Sequence, residues 1–227
     1  MDFENGEVLL FDKPYKWTSF DLVRKIRYVT KTKKVGHAGT LDPLATGLLI
    51  ICTGKKTKII DQIQGQEKEY TGSFFLGATT PCFDKEQPVN NTFPTDHIGK
   101  ADILKAADHF CGELLQMPPP FSAIRVGGKR AYELARQGKE VPLEPRKVTI
   151  TTFQITSIEL PLIHFKIVCS KGTYIRSLAN DFGVYLKSGA YLNELCRTRI
   201  GIYSLENATS PETFEVAVKA ARNSISD

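Results

Sequence analysis

The feature that most restricts the fold of this chain lies past its midpoint. Two β-rich runs, Lys147 to Glu159 and Leu162 to Cys169, are separated by little more than Pro161. So short a connection cannot carry a crossover, so the two runs must pair antiparallel. A strictly parallel sheet is thereby excluded. No regular β-α-β alternation surrounds the hairpin, and neither G-x-G-x-x-G nor G-x-x-x-x-G-K-[ST] occurs, which disfavours a nucleotide-cofactor fold. Strands and helices are interleaved with hairpins, and the pattern predicts an α+β fold with a large mixed or antiparallel sheet.

Hydrophobic spacing places the other elements. Val8-Leu9-Leu10-Phe11 reads as a short strand ending at Asp12-Lys13-Pro14. Thr18-Ser19-Phe20-Asp21 offers a hydroxyl N-cap with a carboxylate in the first turn, and Leu22, Ile26 and Val29 then fall on one helical face. Arg24, Lys25, Arg27 and Lys31 point to water on the other. Val35 to Gly47 holds three glycines and a proline and is read as a loop. It feeds the apolar strand Leu48 to Thr53, followed by a short basic helix over Gly54 to Ile63 and a strand over Lys68 to Ala78.

Thr79 to Phe93 reads as a mobile surface loop. Ile103, Leu104, Ala107, Phe110, Cys111 and Leu114 follow helical spacing up to Met117-Pro118-Pro119-Pro120, where proline ends the run. A hairpin over Ile124 to Lys129 leads to a short helix that Gly138 terminates. A helix over Thr173 to Leu186, a late strand over Arg199 to Leu205 and a last helix capped by Ser210 with Pro211 at its first position complete the reading. No linker separates independent domains, so residues 1 to 227 are taken as one catalytic domain of two fused lobes.

Composition narrows function. With 41% hydrophobic and 24% charged residues the chain can build a core, and the longest apolar run, Leu48 to Cys52, is too short for a bilayer. Met1 to Glu7 is acidic and polar rather than leader-like, so a cytoplasmic location and no membrane partner are expected. The five cysteines form no C-x-x-C, and the four histidines are scattered, so neither a disulfide framework nor a metal is expected. Charge is uneven. Between Asp12 and Lys58, eleven lysines and arginines face three aspartates, while the whole chain carries only +5. That concentration is the footprint of a polyanion binder, nucleic acid before membrane, although a solvated helix face would look the same.

Four groups stand out as chemistry. Asp42, in a Gly/Pro-rich loop beside the basic window, is a candidate nucleophile, although an aspartate closing its own turn is the routine alternative. Arg176 is a fork-shaped donor where a strand gives way to a helix, sharing roughly the face of Tyr174 if that segment is extended. Tyr70 could stack on a base or move a proton, and His37 could stack on an unpaired base.

Taken together, Val35-Gly36-His37-Ala38-Gly39-Thr40-Leu41-Asp42-Pro43-Leu44-Ala45-Thr46-Gly47-Leu48-Leu49 resembles the catalytic-loop motif of the TruB-type tRNA pseudouridine synthases. Companion blocks follow in order: Leu10-Phe11-Asp12-Lys13-Pro14, Lys68-Glu69-Tyr70, Gln116 to Ala123, Gly172 to Leu178, and Leu195-Cys196-Arg197-Thr198. The likeness covers roughly residues 6 to 205.

The resemblance implies an α+β, pseudouridine-synthase-like catalytic domain with a central, mostly antiparallel mixed sheet flanked by helices, which needs no cofactor and acts, as a monomer, on uridine 55 in the TΨC stem-loop of tRNA. It implies that Asp42 is the nucleophile, that Tyr70 contacts the base and takes the C5 proton, and that Arg176 pairs with the aspartate. His37 would pack where the flipped base has left, Leu195 near the uracil, and Tyr174 with the substrate, while Lys13 is a supporting basic residue. Two departures accompany the likeness. Little chain follows the last motif, so the C-terminal PUA domain of many members is expected to be absent and Lys129-Arg130 to share the RNA grip. Phe121 also stands where tyrosine is frequent. A non-catalytic tRNA-binding module would not need Asp42, Tyr70 and Arg176. A ribosyl hydrolase would need a second carboxylate, for which Asp61 is a poor candidate.

Overall fold

A computed structural model of the protein describes residues 2–122, 125–126, 129–130 and 142–223, with the backbone alone at 125, 126, 129 and 130. Most of the expected hairpin over Ile124 to Lys129, the helix ending at Gly138, and the side chains of Lys129 and Arg130 lie outside these residues. The strands are β1 (Val8–Lys13), β2 (Val35–Ala38), β3 (Thr46–Thr53), β4 (Lys68–Leu76), β5 (Ala78–Thr79), β6 (Asn91–Thr92), β7 (Gly112–Gln116), β8 (Arg125–Val126), β9 (Lys129–Arg130), β10 (Arg146–Glu159), β11 (Leu162–Cys169), β12 (Ala190–Ile200) and β13 (Tyr203–Ser204). The helices are α1 (Ser19–Thr30), α2 (Ile60–Gln64), α3 (Lys100–His109), α4 (Ile175–Tyr185) and α5 (Pro211–Asn223). No described helix is long and apolar enough to cross a membrane. The chain adopts the expected α+β class and the mixed, mostly antiparallel sheet that the resemblance implied.

The chain forms two compact units, Met1–Tyr70 with Leu195–Asp227, and Thr71–Glu194. In the first, β3 is the organising strand. It pairs antiparallel with β1 from Val8↔Cys52 to Lys13↔Gly47, antiparallel with β2 from Val35↔Thr53 to Ala38↔Ile50, and parallel with β12 at Cys196↔Thr46 and Arg197↔Gly47. With partners on both edges, β3 is buried on both faces, which explains its unbroken apolar run from Leu48 to Cys52. One face packs Leu48, Ile50 and Cys52 with Ala38, Ile63 and Ile200. Across the barrier of the sheet, Phe11 meets Phe214 of α5 at 5.1 Å between ring centroids.

Helix α1 begins where the sequence places it. Thr18 accepts from the Asp21 amide, and the Asp21 side chain accepts from the Thr18 amide, a reciprocal capping box. Leu22, Ile26 and Val29 are buried, each stabilising the fold by about 1.5–3 kcal/mol relative to exposure. In the second unit β11 and β7 flank β10, both antiparallel, and Phe74, Phe153, Phe165 and Phe182 form an aromatic core.

Several expectations are corrected. Val35–Ala38, read as loop, is strand β2, because it pairs antiparallel with the free edge of β3 from Val35↔Thr53 to Ala38↔Ile50. The helix expected to run to Leu114 stops at His109. Gly112 turns the chain at φ 104°, and Leu114 lies on β7 opposite Val148, while Leu104 is exposed. The late strand is much longer than expected and begins at Ala190, not Arg199. Several of its polar residues hide the pattern because they have built partners: Asn193 donates to Ser73, and Thr198 and Arg199 reach Glu69 and Glu67. Gly54 to Ile63 is a 3₁₀ turn over Gly54–Ile59 leading into α2. Thr79 to Phe93 is no open loop: β5 and β6 pair within it, and Cys82 and Asp84 are buried.

Candidate active site

Asp42 stands half-buried in the connection from β2 to β3, and its surroundings fix that connection on several sides. Ser19, the first residue of α1, donates its hydroxyl to Leu41 O (3.1 Å) and accepts from Leu41 N (2.9 Å). Pro43 O accepts from Lys16 N at 2.8 Å, and Ala45 N donates back to Asp42 O at 3.1 Å. Gly47 N donates to an Asp12 carboxylate oxygen at 3.1 Å. Gly47 adopts φ 94°, and a Cβ there would stand 2.4 Å from Arg197 O, so only glycine lets β12 come this close.

Two buried cations complete the frame. Arg197, 1% exposed, donates through Nε to Leu48 O (2.8 Å), through Nη1 to Thr40 O (3.3 Å) and through Nη2 to Gly39 O (3.0 Å). One guanidinium therefore ties β12 to both ends of the segment that carries Asp42. Lys13 is fully buried, and its Nζ donates to Trp17 O (2.6 Å), Pro14 O (2.9 Å) and Pro43 O (3.4 Å). Burial lowers its pKa to about 8, with the Asp42 carboxylate the strongest influence in the other direction and Arg197 adding to the decrease. Lys13 thus braces the backbone from inside.

The remaining candidates of this unit lie on adjoining strands. His37 is on β2, where burial first and the Arg197 guanidinium second hold its pKa below the ordinary histidine value. Leu195 lies on β12 next to Cys196, the residue paired with Thr46, and its carbonyl accepts from the Thr46 hydroxyl at 3.5 Å. Tyr70, 8% exposed, follows Glu69, whose carbonyl accepts from Thr198 of the same strand β12 at 3.3 Å. Strands β3, β12 and β4 are neighbours in that order, each step about 4.8 Å wide, so the strand that the Asp42 connection feeds, the strand of Leu195 and the strand of Tyr70 lie side by side.

Arg176 and Tyr174 belong to the second unit. Arg176, 4% exposed in the first turn of α4, donates to Cys82 O (3.2 Å) and Phe121 O (3.0 Å), and its Nε lies 3.5 Å from Asp84 Oδ2. Asp84 in turn accepts from Glu86 N (2.8 Å) and the Cys82 thiol (3.0 Å), while Thr80 donates to Asp84 O (2.6 Å). Tyr174 is held by its backbone: Gln116 accepts from its amide at 2.7 Å and donates to its carbonyl at 3.1 Å. With Ser177 donating to Met117 O at 2.7 Å, the proline segment is fastened to the start of α4.

Sequence reasoning missed Arg197, Asp84 and Gln116. Arg197 stood in the Leu195-Cys196-Arg197-Thr198 block, which marked its place but not its task. Asp84 carried none, since its segment is polar throughout. Among the described residues no three His, Cys, Asp or Glu side chains gather as metal ligands. What the arrangement offers is a single carboxylate, held by backbone bonds and flanked by buried positive charge, which suits nucleophilic or electrostatic work on an electron-poor carbon.

Residues 27–175 match the family described as TruB family pseudouridylate synthase (N terminal domain). A protein named tRNA pseudouridine synthase B from Flavobacterium johnsoniae is 53% identical over 225 residues, covering 96% of this chain and 98% of that protein. One of the same name from Phocaeicola vulgatus is 52% identical over 220 residues, with 94% of each covered. Among solved structures, a chain in an H/ACA RNP bound to a substrate RNA containing 2′-deoxyuridine is similar with TM-score 0.70 at 25% identity, covering 94% of this chain and 53% of that one. A chain in a Cbf5-Nop10-Gar1 complex gives 0.68 at 28%, covering 89% and 50%. This chain spans about half the length of those two solved chains.

Proposed function

The chain belongs to the TruB family of pseudouridylate synthases, and from that premise we propose that it converts uridine 55 in the TΨC stem-loop of tRNA to pseudouridine, with Asp42 as the nucleophile. The reaction is an isomerisation. The bond from C1′ to N1 breaks, the uracil turns, a bond from C1′ to C5 forms, the C5 hydrogen leaves as a proton and N1 regains one. Nothing is oxidised or reduced.

The observation that carries the assignment is the setting of Asp42: a carboxylate inside the family's longest motif, on a connection clamped by Ser19, Lys13 and Arg197. A nucleophile fixed in advance loses little freedom on attack, which is where such a site gains rate. Tyr70 contacts the base and takes the C5 proton, and Leu195 covers the uracil. Arg176 supplies the fixed cation of the trio, and Tyr174 lies against the substrate. The base leaves its stack at a cost of a few kcal/mol, least in a loop, and His37 fills the space it leaves. Lys13 acts from behind, holding the strand end and Pro43 so that Asp42 stays in line.

The test is Asp42→Asn assayed on unmodified tRNA. Pseudouridine formation is expected to fall at least about 1,000-fold while tRNA binding stays within about tenfold, because the change removes a reacting group and leaves its frame. Turnover by this variant within about 100-fold of the wild type would take the nucleophile role away from Asp42. No product from the wild type on either tRNA or its stem-loop would overturn the assignment as a whole.

A further inference from the structure

Helix α1 carries a second pattern that its core face does not use. Phe20 is 60% exposed and Tyr28 77% exposed, on a helix whose opposite side is fully packed. At about 100° per residue, Phe20, Arg24, Arg27, Tyr28 and Lys31 fall in one stripe about 100° wide. All five are exposed. A single exposed ring is ordinary on a soluble protein, but two rings set among three cations on one stripe make a defined chemical surface.

The stripe is rich in positive charge. Asp21 is the only acid within α1, and it is already engaged by Thr18 and by Arg24 at 2.6 Å. Upstream, Tyr15 is 49% exposed, with the Lys16 ammonium 5.8 Å from its ring centroid. The stripe also has a direction. Ser19 grips Leu41, the neighbour of Asp42, so α1 starts beside the proposed nucleophile and runs about 18 Å away from it to Lys31. Flat apolar rings alternating with cations are what unpaired nucleotides require: bases stack on the rings and phosphates meet the charges. A second copy of this chain fits poorly, since a two-fold contact would set the cations against themselves.

We propose that the exposed stripe of α1 is a second RNA-contact surface, which takes an unpaired stretch of the same tRNA outside the reacting stem-loop. This rests on the reading of tRNA as substrate. Two double variants test it, Phe20→Ser with Tyr28→Ser, and Arg24→Gln with Arg27→Gln, by equilibrium binding to unmodified tRNA and to the isolated TΨC stem-loop. The aromatic pair is expected to weaken tRNA binding at least about tenfold and to weaken stem-loop binding several-fold less. Tyr28→Phe, which keeps the ring, should retain wild-type binding.

The arginine pair should reduce the slope of log affinity against log salt on tRNA by about 1.4, or 0.7 for each lost contact to a single strand. Unchanged tRNA affinity, an unchanged salt slope, or equal losses on tRNA and stem-loop would each overturn the proposal. So would a fall in sedimenting mass caused by the aromatic pair, which would make the stripe a contact between copies. Binding is read directly here, so failure of the proposed reaction would appear separately, as a wild-type protein that makes no pseudouridine.

Discussion

The connection that carries Asp42 and the segment over 79–86 are both irregular backbone, and each is arranged around an arginine shielded from water. They are solved differently. Arg197 directs its guanidinium at three neutral carbonyls, Gly39, Thr40 and Leu48. Arg176 also holds carbonyls, those of Cys82 and Phe121, but faces the carboxylate of Asp84 as well. Carbonyls satisfy N–H groups without cancelling charge, whereas a carboxylate does both. The first region therefore holds two buried cations, Arg197 and Lys13, whose charge favours an anion at Asp42, while burial first of all depresses the pKa of Lys13. In the second, the Asp84 carboxylate faces the guanidinium of Arg176 at 3.5 Å and helps to orient it.

The sharpest way to break this contrast is to exchange each arginine. Removing Arg197 strands three carbonyls in a dry interior, so Arg197→Met is expected to lower stability by about 3–5 kcal/mol, measured by urea unfolding. Arg197→Lys should recover part of that, with turnover returning in proportion to the folded fraction. Arg176→Lys keeps the charge facing Asp84 and loses the two-pronged reach, so kcat should fall about 100-fold in protein that remains folded. Equal losses of kcat in fully folded Arg197→Lys and Arg176→Lys would erase the distinction.

The burial of Lys13 has its own signature. Burial holds Lys13 at about 8 against an ordinary value of 10.5. Between those limits the unfolded chain keeps a proton that the folded protein has released, so the contribution of Lys13 to stability rises with pH. Cys52, pushed up to about 11 by burial, acts in the opposite sense: its unfolded thiol ionises first, so its contribution falls between pH 9 and 11. Subtracting the unfolding free energy of Lys13→Met removes the cysteine from the comparison. The difference should move in favour of the wild type from pH 8 to 10.5, by up to about 3 kcal/mol. A flat difference would show that folding does not depress the pKa of Lys13.

How much of this the sequence disclosed follows the same division. The Asp42 connection was legible because its chemistry is local: three glycines, a proline and a carboxylate stand together, and the Thr18 cap announces the helix that grips it. The β10–β11 hairpin was equally plain, since Pro161 leaves no other geometry. What stayed hidden depends on partners far along the chain. Arg197 serves carbonyls 149 to 158 residues earlier, and nothing near it hints at that. Asp84 looks like any loop aspartate until Arg176 arrives 92 positions later. Periodicity failed for β12 for the same reason, because polar residues satisfied by distant partners give no alternation to read.

The smallest expected effects compare the two regions at the level of single hydrogen bonds. Ser19→Ala removes both bonds that seat Leu41 and leaves a buried amide without its acceptor, so kcat should drop about tenfold. Cys82 plays the lesser counterpart. Burial raises its pKa, and the adjacent Asp84 adds to the rise, so it remains a neutral thiol able to donate to Asp84 at 3.0 Å. Because Glu86 N and Arg176 also hold that carboxylate, losing a weak thiol bond should tilt Asp84 rather than free it. Cys82→Val is therefore expected to lower kcat about threefold, with KM unchanged and the melting temperature close to wild type. Cys82→Ser, which restores a donor at the same place, should return kcat to near the wild-type value. If the valine and serine variants behave alike, the thiol only fills space, and the orientation of Arg176 rests on Asp84 and the carbonyls without it.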